Sequence, residues 1–127
     1  MGINDITHQV IDSAMTVHTA LGPGLLEKAY EVCLIHEIEK KGIKVESQVQ
    51  LPLKYDGVEV ELGYRVDLLI EDRIIVELKS VEAVSDIHKA QLLSYLKMGN
   101  KQVGLLINFN VVHLRNGIIR MVNNYRD

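Results

Sequence analysis

The 127-residue sequence has no tryptophan, one phenylalanine, two prolines and one cysteine. A single thiol, Cys33, cannot close an intrachain disulfide, so the fold must be held by burial, and a chain of this length hides about two-thirds of its unfolded surface without staples. One thiol also fits a reducing cytoplasm, the expected location. Pro23 and Pro52 are too few for a proline-rich linker, and no repeat or low-complexity tract is present. Long apolar runs are missing too. The longest uncharged stretches, Ser13 to Leu26 and Gln102 to Leu114, fall short of the roughly 18 apolar residues that a spanning helix needs. The opening MGINDITHQV has neither a basic n-region nor an apolar core, so no secretory leader is expected. Ile6 stands where a myristoylation motif needs Ser or Thr. With 47% apolar and 24% charged residues, one compact domain spanning residues 1–127 is expected.

Excess positive charge is likewise lacking. The net charge of −3 excludes a protein that grips nucleic acid by bulk electrostatics alone. The distribution is uneven: residues 1–63 carry 5 basic against 10 acidic side chains, and residues 64–127 carry 9 against 7.

What is present is clear periodicity. Ile3, Ile6, Val10, Ala14, Val17 and Leu21 recur at three- and four-residue steps, which predicts a first helix ended by Gly22-Pro23-Gly24. Leu26, Tyr30, Cys33, Leu34 and Ile38 predict a second helix from Leu25 to Lys41, stopped by Gly42. The period then changes to alternation. Val45 to Leu53, the dipeptide Asp56-Gly57 and the run from Val58 predict a hairpin, with Val58, Val60, Leu62, Tyr64, Val66, Leu68 and Ile70 on one face. Glu71-Asp72-Arg73 turns the chain into a strand from Ile74 to Ser80. A helix capped by Ser85 follows, from Asp86 to Met98, and Gln102 to Phe109 forms a buried strand. Asn116-Gly117 is expected to turn a terminal hairpin. The fold class is α/β, ordered ααβββαβ plus a C-terminal β extension.

Register determines where the charged residues fall. Pairing Ile70 with Ile74 matches Leu68 to Val76 and Val66 to Leu78, so the apolar faces coincide, whereas a one-residue slip destroys the match. The same register sets Asp67 opposite Glu77 and Arg65 opposite Lys79. Directly opposed side chains lie about 5 Å apart, so two carboxylates there need a cation, a shared proton or a basic neighbour. Glu77-Leu78-Lys79 adds an amine on the glutamate's side of the strand. Two explanations fit: a charge cluster neutralised by Arg65 and Lys79, or a site for Mg²⁺ or Mn²⁺, hard cations that accept carboxylates, a carbonyl such as that of Leu78, and water.

Asp67 followed by Glu77-Leu78-Lys79 resembles the D…ExK signature of the PD-(D/E)XK nuclease superfamily, with Val66 where a proline is usual. Gly24-Leu25-Leu26-Glu27-Lys28-Ala29-Tyr30 resembles the GxxExxY pattern of a small family within it, and Gln91-Leu92-Leu93-Ser94-Tyr95 resembles the QxxxY pattern of its exonuclease-like branches. Similarity runs from about Leu21 to Val122. The resemblance implies a restriction-endonuclease-like core, a mixed sheet flanked by helices. It also implies Mg²⁺-dependent hydrolysis of nucleic acid, with DNA the expected substrate. Asp67 and Glu77 would hold the metal with the Leu78 carbonyl, Glu27 would complete the acidic site, Lys79 would assist the attacking water, and Gln91 and Tyr95 would arrange the site and the nucleic acid.

Glu27 shares a helical face with Tyr30, Leu34 and Ile38, so its carboxylate is expected to lean inward. The alternative for Glu27 is a salt bridge to a sheet lysine, and for Gln91 and Tyr95 a packed amide and phenol. No histidine shows ligand spacing. His8, His18 and His36 are expected on helix surfaces, and His88 near the proposed site. No Walker loop and no CxxC pair occurs. A competing function is a catalytically silent module of the same fold that binds nucleic acid or a protein partner. A homodimer would supply surface that so small a core lacks.

Overall fold

A computed structural model describes residues 1–126. Its elements are α1 (Ile3–Leu21), α2 (Glu27–Lys40), β1 (Val45–Tyr55), β2 (Val58–Ile70), β3 (Ile74–Lys79), α3 (Asp86–Gly99), β4 (Val103–Asn108), a 3₁₀ turn (Leu114–Gly117) and β5 (Ile118–Val122). Among the described residues no helix is long and apolar enough to cross a membrane.

The five strands form one sheet in the order β1-β2-β3-β4-β5. The β3/β4 pair is parallel and the other three are antiparallel. Parallel pairing needs a crossover, which α3 supplies. Because both faces of β3 and β4 are covered, these strands read as continuous apolar runs and are buried almost throughout. One face carries Leu68, Ile70, Val76, Leu78, Leu105 and Ile107 against α1 and α2. The other carries Val66, Leu69, Ile75 and Leu106 against Leu92, Tyr95 and Leu96 of α3. Gly104 sets the spacing of α3 above β4: a Cβ there would lie 2.9 Å from Leu92 Cδ1.

The turn chemistry matches the residues. Asp56 and Gly57 both have positive φ, 51° and 75°, as a two-residue type I′ hairpin requires. Ser85 Oγ accepts the His88 N–H, and Asn100 closes α3 in the left-handed conformation.

Four expectations need correction. Val58, Val60, Leu62 and Tyr64 project into solvent, because the β1–β2 hairpin outruns the helices that would cover it. Val66 is buried on the α3 face while Leu68 packs against α1 and α2, so β2 rotates between them and Val66 does not face Leu78. Asn116-Gly117 ends the 3₁₀ turn within a longer connection from β4 to β5. His18 is buried, its Nε2 lying 2.8 Å from the Val111 carbonyl oxygen.

Candidate functional site

The site forms where β2 departs from regular pairing. Between β1 and β2 the ladder includes Ser47 with Leu68 and Val49 with Val66, but skips Gln48 and Asp67. Gln48 has a φ of 54°, a left-handed conformation that interrupts an extended strand. On the other side, β2 pairs with β3 from Ile70–Ile74 to Leu68–Val76 and no further.

Beyond that point two backbone N–H groups bond to side chains. The Asp67 N–H donates to Glu77 Oε2 at 2.7 Å, and the Leu78 N–H donates to Asp67 Oδ2 at 2.8 Å. Asp67 and Glu77 are therefore brought together as the register requires, through reciprocal side-chain to main-chain bonds in place of a ladder pair. Each bond leaves the second carboxylate oxygen free of main-chain partners. Among the described residues, Asp67 Oδ1 receives only a 3.4 Å contact from Gln48 Nε2, and Glu77 Oε1 has no hydrogen bond.

Electrostatics in this cluster leave the two acids short of positive charge, which a bound proton or a cation supplies. Burial, followed by the repulsion of Asp67, pushes the Glu77 carboxyl up to about 8. Burial likewise raises Asp67 above the usual carboxylate range, partly opposed by the Leu78 N–H. Lys79 lies close enough to lower both. It pairs with Asn108 of β4, whereas Arg65 pairs with Gln50 of β1, so the expected opposition of Arg65 and Lys79 does not occur. The reason is the same: β2 has left β3 before reaching Arg65.

Glu31 and Gln48, neither singled out by sequence pattern, also belong to this cluster. Glu31 is buried and takes Lys28 Nζ on Oε2 and Gln48 Nε2 on Oε1, both at 2.7 Å. Gln48 thus ties α2 to the irregular point of β1. A cleft of about 200 Å³, lined by Glu27, Lys28, Glu31, Gln48, Asp67 and Leu78, opens above the aspartate. Glu27 itself is exposed, contrary to the inward lean expected. It begins α2, and a helical side chain points toward the N-terminus, so Glu27 stands at the mouth while Glu31, one turn later, is covered by the sheet. The spacing of Glu31, four residues after Glu27, was the available signal.

Tyr30 is a structural anchor. Its hydroxyl donates to the Gly22 carbonyl at 2.6 Å and accepts the Leu25 N–H at 3.1 Å, while its ring stacks on Phe109 at 4.4 Å. Ser80 Oγ donates to the Leu25 carbonyl, joining the loop before α2 to the residue after Lys79. On α3, Tyr95 is buried beside Tyr64. Burial and the nearby Glu77 raise its hydroxyl above the usual tyrosine value. Gln91 is exposed, at the margin of the stripe formed by Leu92, Tyr95 and Leu96. His88 caps α3 rather than approaching the carboxylates, its Nδ1 accepting the Ser85 N–H.

The donor set of Asp67, Glu77 and the Leu78 carbonyl fits a hard divalent cation, since Mg²⁺ takes one or two carboxylates and fills its remaining positions with water. Among the described residues no group of three or more His, Cys, Asp or Glu side chains is placed to hold a metal. Glu27 lines the same cleft as Asp67 and acts on Glu77 by charge.

A mixed sheet between helices, with an aspartate leaving β2 and a Glu-Leu-Lys on β3, defines a restriction-endonuclease-like fold. A family model of the PD-(D/E)XK nuclease superfamily matches residues 4–121, and the chain belongs to that superfamily. No curated protein and no solved structure matches it.

Proposed function

We propose that the protein is a divalent-metal-dependent nuclease that hydrolyses phosphodiester bonds of DNA. The observation that carries this function is the reciprocal lock of Asp67 and Glu77 onto each other's strand, with Lys79 acting on both acids. Mg²⁺ or Mn²⁺ would be held by Asp67, Glu77 and the Leu78 carbonyl. When bound, the ion supplies positive charge against the developing charge of a phosphoryl group. The chain's own residues do the rest. The N–H groups of Asp67 and Leu78 fix the two carboxylates before substrate arrives, which avoids reorganisation during reaction. Lys79 holds an ammonium beside the acids, placed to orient the attacking water. Hydrolysis adds that water to phosphorus and breaks the bond to the leaving sugar oxygen, which takes up a proton. Glu27 at the cleft mouth and Gln91 on the open face of α3 are positioned to contact the nucleic acid, and Tyr95 supports Glu77 from the α3 side.

The test is to incubate purified protein with single-stranded, duplex and branched DNA, and with RNA, in Mg²⁺ or Mn²⁺. Metal-dependent cleavage of DNA is expected, reduced at least 100-fold in Asp67→Ala and Lys79→Ala, the scale on which losing one electrostatic stabiliser acts. Cleavage that survives either substitution would overturn the assignment. A second function, binding without cutting, is favoured by the high proton affinity of Glu77. It predicts DNA retention with no turnover in either metal.

A further inference from the structure

The chain is acidic overall, yet basic side chains gather around one cavity. Its volume of about 430 Å³ falls within the range of ligand sites. His18, Thr19, Gly22, Pro23, His113 and Arg115 line it, and among the described residues no carboxylate does. His113 and Arg115 are exposed, and among the described residues neither forms a salt bridge. His18 is buried, with Nε2 at 2.8 Å from the Val111 carbonyl oxygen. A carbonyl only accepts, so Nε2 carries the proton of that bond. Its Nδ1 has no partner among the described residues and is not sealed from solvent, and the imidazolium form donates from this atom as well. The carbonyl end of α1 also reaches the cavity. Its partial charge of about one half is outweighed by the full charge of Arg115 alone.

The position of the cavity points to its ligand. Residues 109–117 leave the carboxyl end of β4, and Leu78 and Lys79 stand at the same end of its parallel neighbour β3, the side of an α/β sheet where ligands bind. Gly22 and Pro23 line the cavity, while Glu27 and Lys28 line the carboxylate cleft. The segment between them is fastened down, because Tyr30 donates to the Gly22 carbonyl and Ser80 to that of Leu25. Four residues of chain separate Pro23 from Glu27, so the two rims are no more than about 14 Å apart. A strand that advances about 3.4 Å per phosphate crosses that distance in about four phosphates. We infer that the cavity is a phosphate subsite, seating a backbone phosphodiester of the nucleic-acid strand whose scissile phosphate lies at Asp67 and Glu77. Arg115 and His113 donate to its oxygens, and a guanidinium does so in bidentate fashion. The subsite supplies locally the positive charge that the chain as a whole lacks. It rests on the proposed function for the class of ligand alone.

Fluorescence anisotropy of the full chain with a labelled single-stranded DNA oligonucleotide, in EDTA and at about 50 to 200 mM salt, is the test. Arg115→Gln should bind about tenfold more weakly, the scale of one charge-assisted contact. Its plot of log affinity against log salt should be shallower by about 0.7, the share of one phosphate on a single strand. Arg115→Lys should recover most of the affinity and the slope, since an ammonium also neutralises a phosphate. Melting temperatures should stay close to wild type, because Arg115 is exposed. Wild-type affinity and slope in Arg115→Gln would overturn the inference, as would a wild type that does not bind the strand. A mononucleotide carries the same phosphate without a strand and should bind at least about tenfold more weakly, having fewer phosphates to contact. Binding as tight as that of the strand, and lost in Arg115→Gln, would make the cavity a free-nucleotide site and overturn the inference too. Cleavage plays no part in these readouts. DNA held through Arg115 but never cut in Mg²⁺ or Mn²⁺ would sink the nuclease and leave the subsite, and cutting with binding indifferent to Arg115 would do the reverse.

Discussion

Replacing Glu77 by Gln removes a charge that the folded protein holds at a cost, and should stabilise the metal-free chain at alkaline pH. Burial and Asp67 raise this carboxyl from 4.5 to about 8 on folding. A folded pKa above the unfolded one means that the associated stability is fully present below pH 4.5 and is lost as pH rises through 8. Between pH 5 and pH 8 the wild type should therefore lose on the order of 3 kcal/mol through this group alone. Glutamine keeps an acceptor oxygen for the Asp67 N–H and carries no titrating proton. The difference between the two proteins cancels contributions from the histidines. Thermal melts in EDTA should show the variants close together at pH 5 and Glu77→Gln higher by roughly 10 °C at pH 8, given a few degrees per kcal/mol for a domain of this size. Millimolar Mg²⁺ at pH 8 should raise the wild type and narrow the gap, because an ion that binds only the folded state adds about 2.7 kcal/mol at a hundredfold excess over its Kd. A wild type whose melting temperature is as flat with pH as that of Glu77→Gln would refute the reasoning. So would a variant that melts below wild type at pH 8 in EDTA.

Other substitutions probe the supports of the site. Tyr30→Phe should cost about 1–3 kcal/mol in urea denaturation, because both the Gly22 carbonyl and the Leu25 N–H lose their shared partner. Gly104→Ala should cost about 1–3 kcal/mol, since its methyl would press on Leu92 and Leu96. Gly117→Ala should be worse, with Cβ driven into the Asn108 carbonyl, and is expected to yield little folded protein on gel filtration. Gln48→Ala should reduce DNA cleavage more than stability, because it unties Glu31 from the irregular point of β1 while Glu31 keeps its bond to Lys28. Parallel rate and melting measurements would separate the two effects.

Much of the fold follows from local pattern. The apolar steps of α1, the Asp-Gly turn, the Ser85 cap and the coincidence of Leu68–Ile70 with Ile74–Val76 are each confined to a few neighbouring residues. Such signals can be read without knowing what lies across the domain, and together they brought Asp67, Glu77 and Lys79 to one region. The burial of His18 was not legible, since its partner is the carbonyl of Val111, 93 residues away. Gln91 shares a helical face with Tyr95, yet Leu92, Tyr95 and Leu96 point at the sheet and leave it at the margin.

From the order of residues alone came the α/β class, the pairing of Leu68–Ile70 with Ile74–Val76 and the Asp67, Glu77 and Lys79 constellation, because hydrophobic periodicity fixes which side chains must share a face. Tertiary structure alone decided how the acids meet. The left-handed turn at Gln48 and the rotation of β2 at Asp67 depend on what α2 and α3 cover, and so do the burial of Glu31 and the exposure of Glu27, Val58 and Val60. Such coverage is a property of packed elements that no single stretch of sequence contains.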